Sequence, residues 1–82
     1  MAKLCKESFE KINKERNQVH QPVSATYTVF SQDGHTFFQI DTYGSSERIM
    51  PGKVSQSLQI DRQIAEMLVK ELCRVFQLSQ EK

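Results

Sequence analysis

The stretch "ATYTVFSQDGHTFFQIDTY" (Ala25 to Tyr43) constrains the fold more than any other part of the chain. Two runs rich in β-branched and aromatic residues meet at Asp33-Gly34, a pair that tolerates the positive φ angles of a type I′ turn, so the stretch reads as a tight hairpin. With Asp33 and Gly34 as the loop, Gln32 faces His35, Phe30 faces Phe37, Val29 faces Phe38 and Tyr27 faces Ile40. Alternation then places Tyr27, Val29, Phe38 and Ile40 on one face, expected to be core. Thr26, Thr28, Phe30, Phe37, Gln39, Asp41 and Tyr43 fall on the other, expected to be a surface.

The rest of the chain builds on this hairpin. Gly44-Ser45-Ser46 ends its second strand, Glu47 to Met50 adds a short edge strand, and Pro51-Gly52 suits the middle of a type II turn. Val54 to Ile60 alternates at its end, Leu58 and Ile60 inward, Ser57 and Gln59 outward, and reads as a further strand. Asp61 is a good N-cap for a helix over about Arg62 to Leu78. Residues 3–17 place Leu4, Cys5, Phe9 and Ile12 at helical spacing in a narrow apolar stripe, and Asn17 to Ser24, around Pro22, reads as a linker. The expected fold is α+β: an N-terminal helix, an antiparallel sheet of three to four strands, and a C-terminal amphipathic helix packing on the sheet. Residues 1–24 form the N-terminal helix and linker, and residues 25–82 a compact β-β-(β)-β-α domain.

The C-terminal helix carries one apolar line of Ile64, Leu68, Leu72 and Val75, with Met67 beside it, and a second of Ala65, Val69, Cys73 and Phe76. Together they cover more of the circumference than a helix needs to sit on a sheet. Either the N-terminal helix or the same helix of a second subunit packs on the extra side. The thin stripe of the N-terminal helix favours a homodimer. So does the chain length of 82 residues, at which a single core is marginal.

Composition narrows the class. The formal net charge is +1, with five basic residues against three acidic ones between Lys3 and His20, a weak bias toward polyanions. Cys5 and Cys73 lie far apart and form neither a CxxC metal motif nor a disulfide framework. The start "MAKLCKESFEK" lacks the apolar region of an export signal, and no window approaches a membrane span, so a cytoplasmic protein is expected.

Catalytic chemistry finds little support in the residues. "PGKVS" departs from a phosphate loop at Glu47, where the first Gly belongs, and at Val54, where Ser or Thr belongs. His20 and His35 lie in a linker and beside a turn, without the neighbours a metal or general-base role needs. Asp41 and Glu47 have no fixed separation that would make them an acid-base pair. No catalytic set, metal or cofactor is expected, and the chain does not read as an enzyme. The outer sheet face remains. Phe30, Phe37 and Tyr43 stand there among hydroxyls and amides including Gln39, with Arg48 and Lys53 in the connecting ribbon. Bases of a single strand stack on such rings while cations meet the phosphates. The opposed Phe30 and Phe37 equally serve a ligand-free hairpin, and the N-terminal helix could cover the face.

The order of strand, tight turn, strand, ribbon with "PGK", strand "SLQI" and helix "DRQIAEMLVKEL" resembles the single-stranded-DNA-binding domain of transcriptional coactivators of the positive-cofactor-four type, over about Tyr27 to Phe76. The resemblance implies a curved antiparallel sheet followed by a helix, helices paired in a homodimer, and sheet channels that receive single strands. The hairpin tip "SQDGH" departs from it in carrying no lysine or arginine, so phosphate contacts would fall to Arg48, Lys53 and the cations at Lys3, Lys6, Lys11, Lys14 and Arg16. The segment "QIDTYGSSERIMPGKVSQSLQ" is also similar to a small bacterial group whose label connects it to methionyl-tRNA formyltransferase. A folate-dependent transferase needs a far larger cofactor domain than 82 residues build. The expected function is single-stranded DNA or RNA binding through Phe30, Phe37, Tyr43, Arg48, Lys53 and Gln39. The alternative is a protein-interaction module, accessory to or inhibitory of a larger complex.

Overall fold

The computed structural model describes residues 1–44 and 53–79. In chain order they form β1 (Ala2–Lys3), a single 3-10 turn (Lys6–Ser8), β2 (Ala25–Gln32), β3 (His35–Tyr43), β4 (Val54–Ile60) and α1 (Arg62–Phe76). The four strands make one sheet in the order β1-β4-β3-β2, with β1 parallel to β4 and the other pairs antiparallel. The fold is therefore α+β with a mixed sheet rather than a purely antiparallel one.

The hairpin forms in the expected register. Gln32 opposes His35, Phe30 opposes Phe37, and Tyr27 opposes Ile40. Asp33 and Gly34 have φ of 54° and 78°, the left-handed pair that a type I′ turn requires and that matches the twist of the flanking strands. β4 pairs with β3 from Phe38–Ile60 to Tyr43–Val54, with a register shift between Thr42 and Tyr43. The short strand expected at Glu47 to Met50 lies outside the described residues.

The N-terminal helix expected over residues 3–17 does not form. Ala2 and Lys3 instead lie along β4, Leu4 donates its N–H to the Gln59 carbonyl at 2.9 Å, and one 3-10 turn follows. Residues 9–24 have no regular structure. The reason is energetic: starting a helix fixes several residues for one hydrogen bond, and a stripe as thin as Leu4, Phe9 and Ile12 offers little burial in return. The edge of β4 offers ready backbone partners without that nucleation step.

α1 starts where the sequence places it. The Asp61 side chain accepts from the Ile64 N–H at 3.1 Å, and Arg62 pairs with Glu66 one turn on at 3.1 Å. The helix ends at Gln77, held in the left-handed region at φ 56°, with Leu78 N–H bonded to the Cys73 carbonyl at 3.0 Å. Its first turns lie over the apolar sheet face, where Val29, Phe38 and Ile60 meet Arg62 and Ala65 around a shallow recess. Ile64 is the only fully buried hydrophobic side chain among the described residues.

Three residues assigned inward by alternation are exposed, Leu58 of β4 among them at 40%. Tyr27 and Val29 share the face on which α1 sits, but they stand on the edge strand farthest from β4 and are 68% and 62% exposed. α1 follows directly from β4 and covers the Phe38–Ile60 end of that half of the sheet. A single helix about 10 Å across leaves the β2 half open.

Candidate functional site

The opposite face of the sheet is polar and internally bonded. Alternation puts Phe37, Gln39 and Asp41 of β3 on it, with Phe30, Thr28 and Thr26 of β2 on one side and Gln59 and Ser57 of β4 on the other. Gln59 Nε2 donates to Gln39 Oε1 at 2.7 Å, and Gln39 Nε2 donates to both Asp41 carboxylate oxygens at 2.9 and 3.2 Å. The Ser57 hydroxyl donates to the same carboxylate. All four side chains are half-buried, so each hydrogen bond also offsets the cost of taking a polar group partly out of water.

At the hairpin end of this face the Phe30 and Phe37 rings lie 5.4 Å apart between centroids, tilted by 30°. Lys3, carried in by β1, brings its ammonium to 6.0 Å from the Phe37 centroid and 3.8 Å from an Asp61 carboxylate oxygen. This arrangement is the cation over an aromatic face that ring quadrupoles favour. At the other end Tyr43 shares a hydrogen bond with the Thr26 hydroxyl at 3.0 Å, and exposed Lys53 precedes the Val54 that pairs with Tyr43.

The expected site residues thus divide. Phe30, Phe37 and Gln39 come together, whereas Tyr43 and Lys53 sit at the far end of β3, about 20 Å along the strand from Phe37. Arg48 lies outside the described residues. Gln39 is engaged at both ends of its amide, which makes it a spacer between the aromatic pair and Asp41. Sequence reasoning left Lys3 in a helix. The signal that it belongs to this face is the alternation of Ala2, Lys3 and Leu4, which is too short to distinguish from chance.

The electrostatics of the face are mixed. Lys3 is balanced by Asp61, and Asp41 places an acceptor at its centre. Elsewhere, the Cys5 thiol and then its own backbone N–H hold the Glu7 carboxyl below the usual carboxylate range. Among the described residues no cluster of three or more His, Cys, Asp or Glu could hold a metal ion, and no helix is long and apolar enough to cross a membrane. No protein-family model, no curated protein and no solved structure is found to match this chain.

Proposed function

We propose that this chain binds single-stranded nucleic acid on the polar sheet face and acts as a homodimer joined through α1. The observation that carries the binding reading is the Phe30–Phe37 pair with the Lys3 ammonium beside it on an otherwise hydrogen-bonding surface. Rings accept stacked bases regardless of sequence, and a cation at the same spot meets the phosphate. Tyr43 and Lys53 at the far end add a second ring and a second cation, so an extended strand laid along β3 meets an aromatic group at each end. The resemblance to the coactivator domain supports the same reading.

The dimer reading rests on burial. α1 leaves Ala65, Val69, Leu72 and Phe76 along one side, spaced as a helix-pairing seam, with Leu72 and Phe76 still 42% and 65% exposed.

Fluorescence anisotropy with a labelled oligonucleotide tests the binding. Affinity is expected to fall with salt, with a log–log slope of about −0.7 per phosphate neutralised. Phe37→Ala is expected to weaken it by ~1–3 kcal/mol. A flat salt response, or no binding at micromolar protein, removes the proposal. One observation favours a protein partner instead: Asp41 stands at the middle of the face, where it repels a phosphate backbone. Co-purification of a single protein that survives nuclease treatment would select that reading.

A further inference from the structure

The two edges of the sheet are treated differently. The outer edge of β4 is capped by β1, with Lys3 and Leu4 anchored alongside Gln59. Among the described residues the outer edge of β2 has no such cover: β2 ends the strand order, and no backbone hydrogen bond reaches that edge. Natural sheets guard an open edge with charge, proline or a bulge. β2 has none of these. Its sequence, ATYTVFSQ, is uncharged and lacks proline, and its pairing with β3 runs without a shift from Ala25 to Gln32.

The hairpin fixes which groups face outward. Because Gln32 and His35 flank a tight turn, the even-numbered residues of β2 direct their N–H and C=O toward β3. The odd-numbered ones, Tyr27, Val29 and Ser31 among them, direct theirs to the open edge. The side chains of Tyr27 and Val29, the most exposed apolar groups of the sheet, project from the same residues. One strand thus offers free backbone groups and uncovered apolar surface together.

We infer that β2 pairs antiparallel with β2 of a second copy, joining the two sheets into one. This rests on the dimer proposed above and specifies how it is built. Two identical strands pair antiparallel side by side only about a two-fold axis perpendicular to the sheet, so each face continues as the same face of the partner. Centring the axis on Thr28 sets Tyr27 opposite the partner's Val29 and brings the outward N–H and C=O groups of both into register. Both α1 helices then lie on one side of the joined sheet, flanking the Tyr27–Val29 pairs. A second copy fits this edge because β2 is uncharged along its length, so the strand meets itself without like-charge repulsion. On the polar side the two Phe30–Phe37 pairs become parts of one continuous surface.

Cysteine cross-linking tests the register. In the full chain with Cys5 and Cys73 replaced by Ala, Thr28→Cys places two thiols across the axis in a non-hydrogen-bonded pair, at a Cα separation of about 4.5 Å that a disulfide spans. Thr26→Cys places them several positions apart. The expected result is a disulfide-linked dimer from Thr28→Cys under mild oxidation and none from Thr26→Cys. As a second variant, Val29→Pro keeps apolar bulk but removes an outward N–H, and is expected to raise the dimer dissociation constant on the order of tenfold with unchanged circular dichroism. Light scattering separates the outcomes. A dimer that Thr28→Cys does not link selectively, or that Val29→Pro leaves as tight as before, overturns the strand pairing and leaves the helix-joined dimer standing. A monomeric mass overturns both.

Discussion

The two faces of the sheet reverse what their composition leads one to expect. On the polar face Gln39, Asp41, Ser57 and Gln59 are half-buried and bonded to one another, a surface complete within one chain. On the apolar face the stacked Tyr27 and Phe38 rings, 5.1 Å between centroids, are covered at the Phe38 end and open at the Tyr27 end. The contrast teaches that exposure here follows the position of a single helix more than the character of the residues. It also separates two kinds of defect: a change on the polar face costs the chain its own stability, and one on the apolar face tests the proposed dimer.

The comparison breaks most sharply at Leu72. Leu72→Glu sets a charge in the open helical seam and should raise the dimer dissociation constant on the order of a hundredfold, read by sedimentation across dilution. Secondary structure should persist. Asp41→Ala acts on the other face. It leaves Gln39 Nε2 and the Ser57 hydroxyl without their acceptor and should cost about 1–3 kcal/mol by denaturant titration. Its mass should not change at concentrations where the protein is folded.

Smaller effects sharpen the role of α1. Gln77 occupies a left-handed conformation in which a β-carbon is unfavourable, so Gln77→Gly should stabilise the helix end by about 0.5–1 kcal/mol. Arg74, hydrogen-bonded to Glu71 at 2.6 Å, holds the Glu71 carboxyl below its ordinary value. A carboxylate lowered in this way adds stability above the ordinary carboxylate range and loses it as pH falls through the lowered folded value. The melting temperatures of the native protein and Glu71→Gln should therefore differ slightly near neutrality and converge in acid. The effect should be the smallest of the four, because the pair is exposed.

Much of the sheet was legible in the residues, because its signals are local. Asp33-Gly34 dictates the turn, the turn dictates the register, and Asp61 announces the helix that follows β4. What failed was information carried by distance. Residues 3–17 have helical spacing, and only the presence of a free β4 edge makes Ala2 and Lys3 a strand. Alternation correctly put Tyr27 and Val29 on the helix side, but no periodicity states how far one helix reaches across a sheet. The same limit applies to the candidate site. Phe30 and Phe37 follow from the register, while the arrival of Lys3 beside them depends on a pairing between residues more than fifty positions apart in sequence.

The direct trial of the unfinished apolar face is the solution mass of the full chain, followed by sedimentation equilibrium from micromolar concentrations downward. A particle of twice the 9.5-kDa chain mass that dissociates only on dilution is the predicted result. A stably folded particle of single-chain mass at every concentration would contradict it.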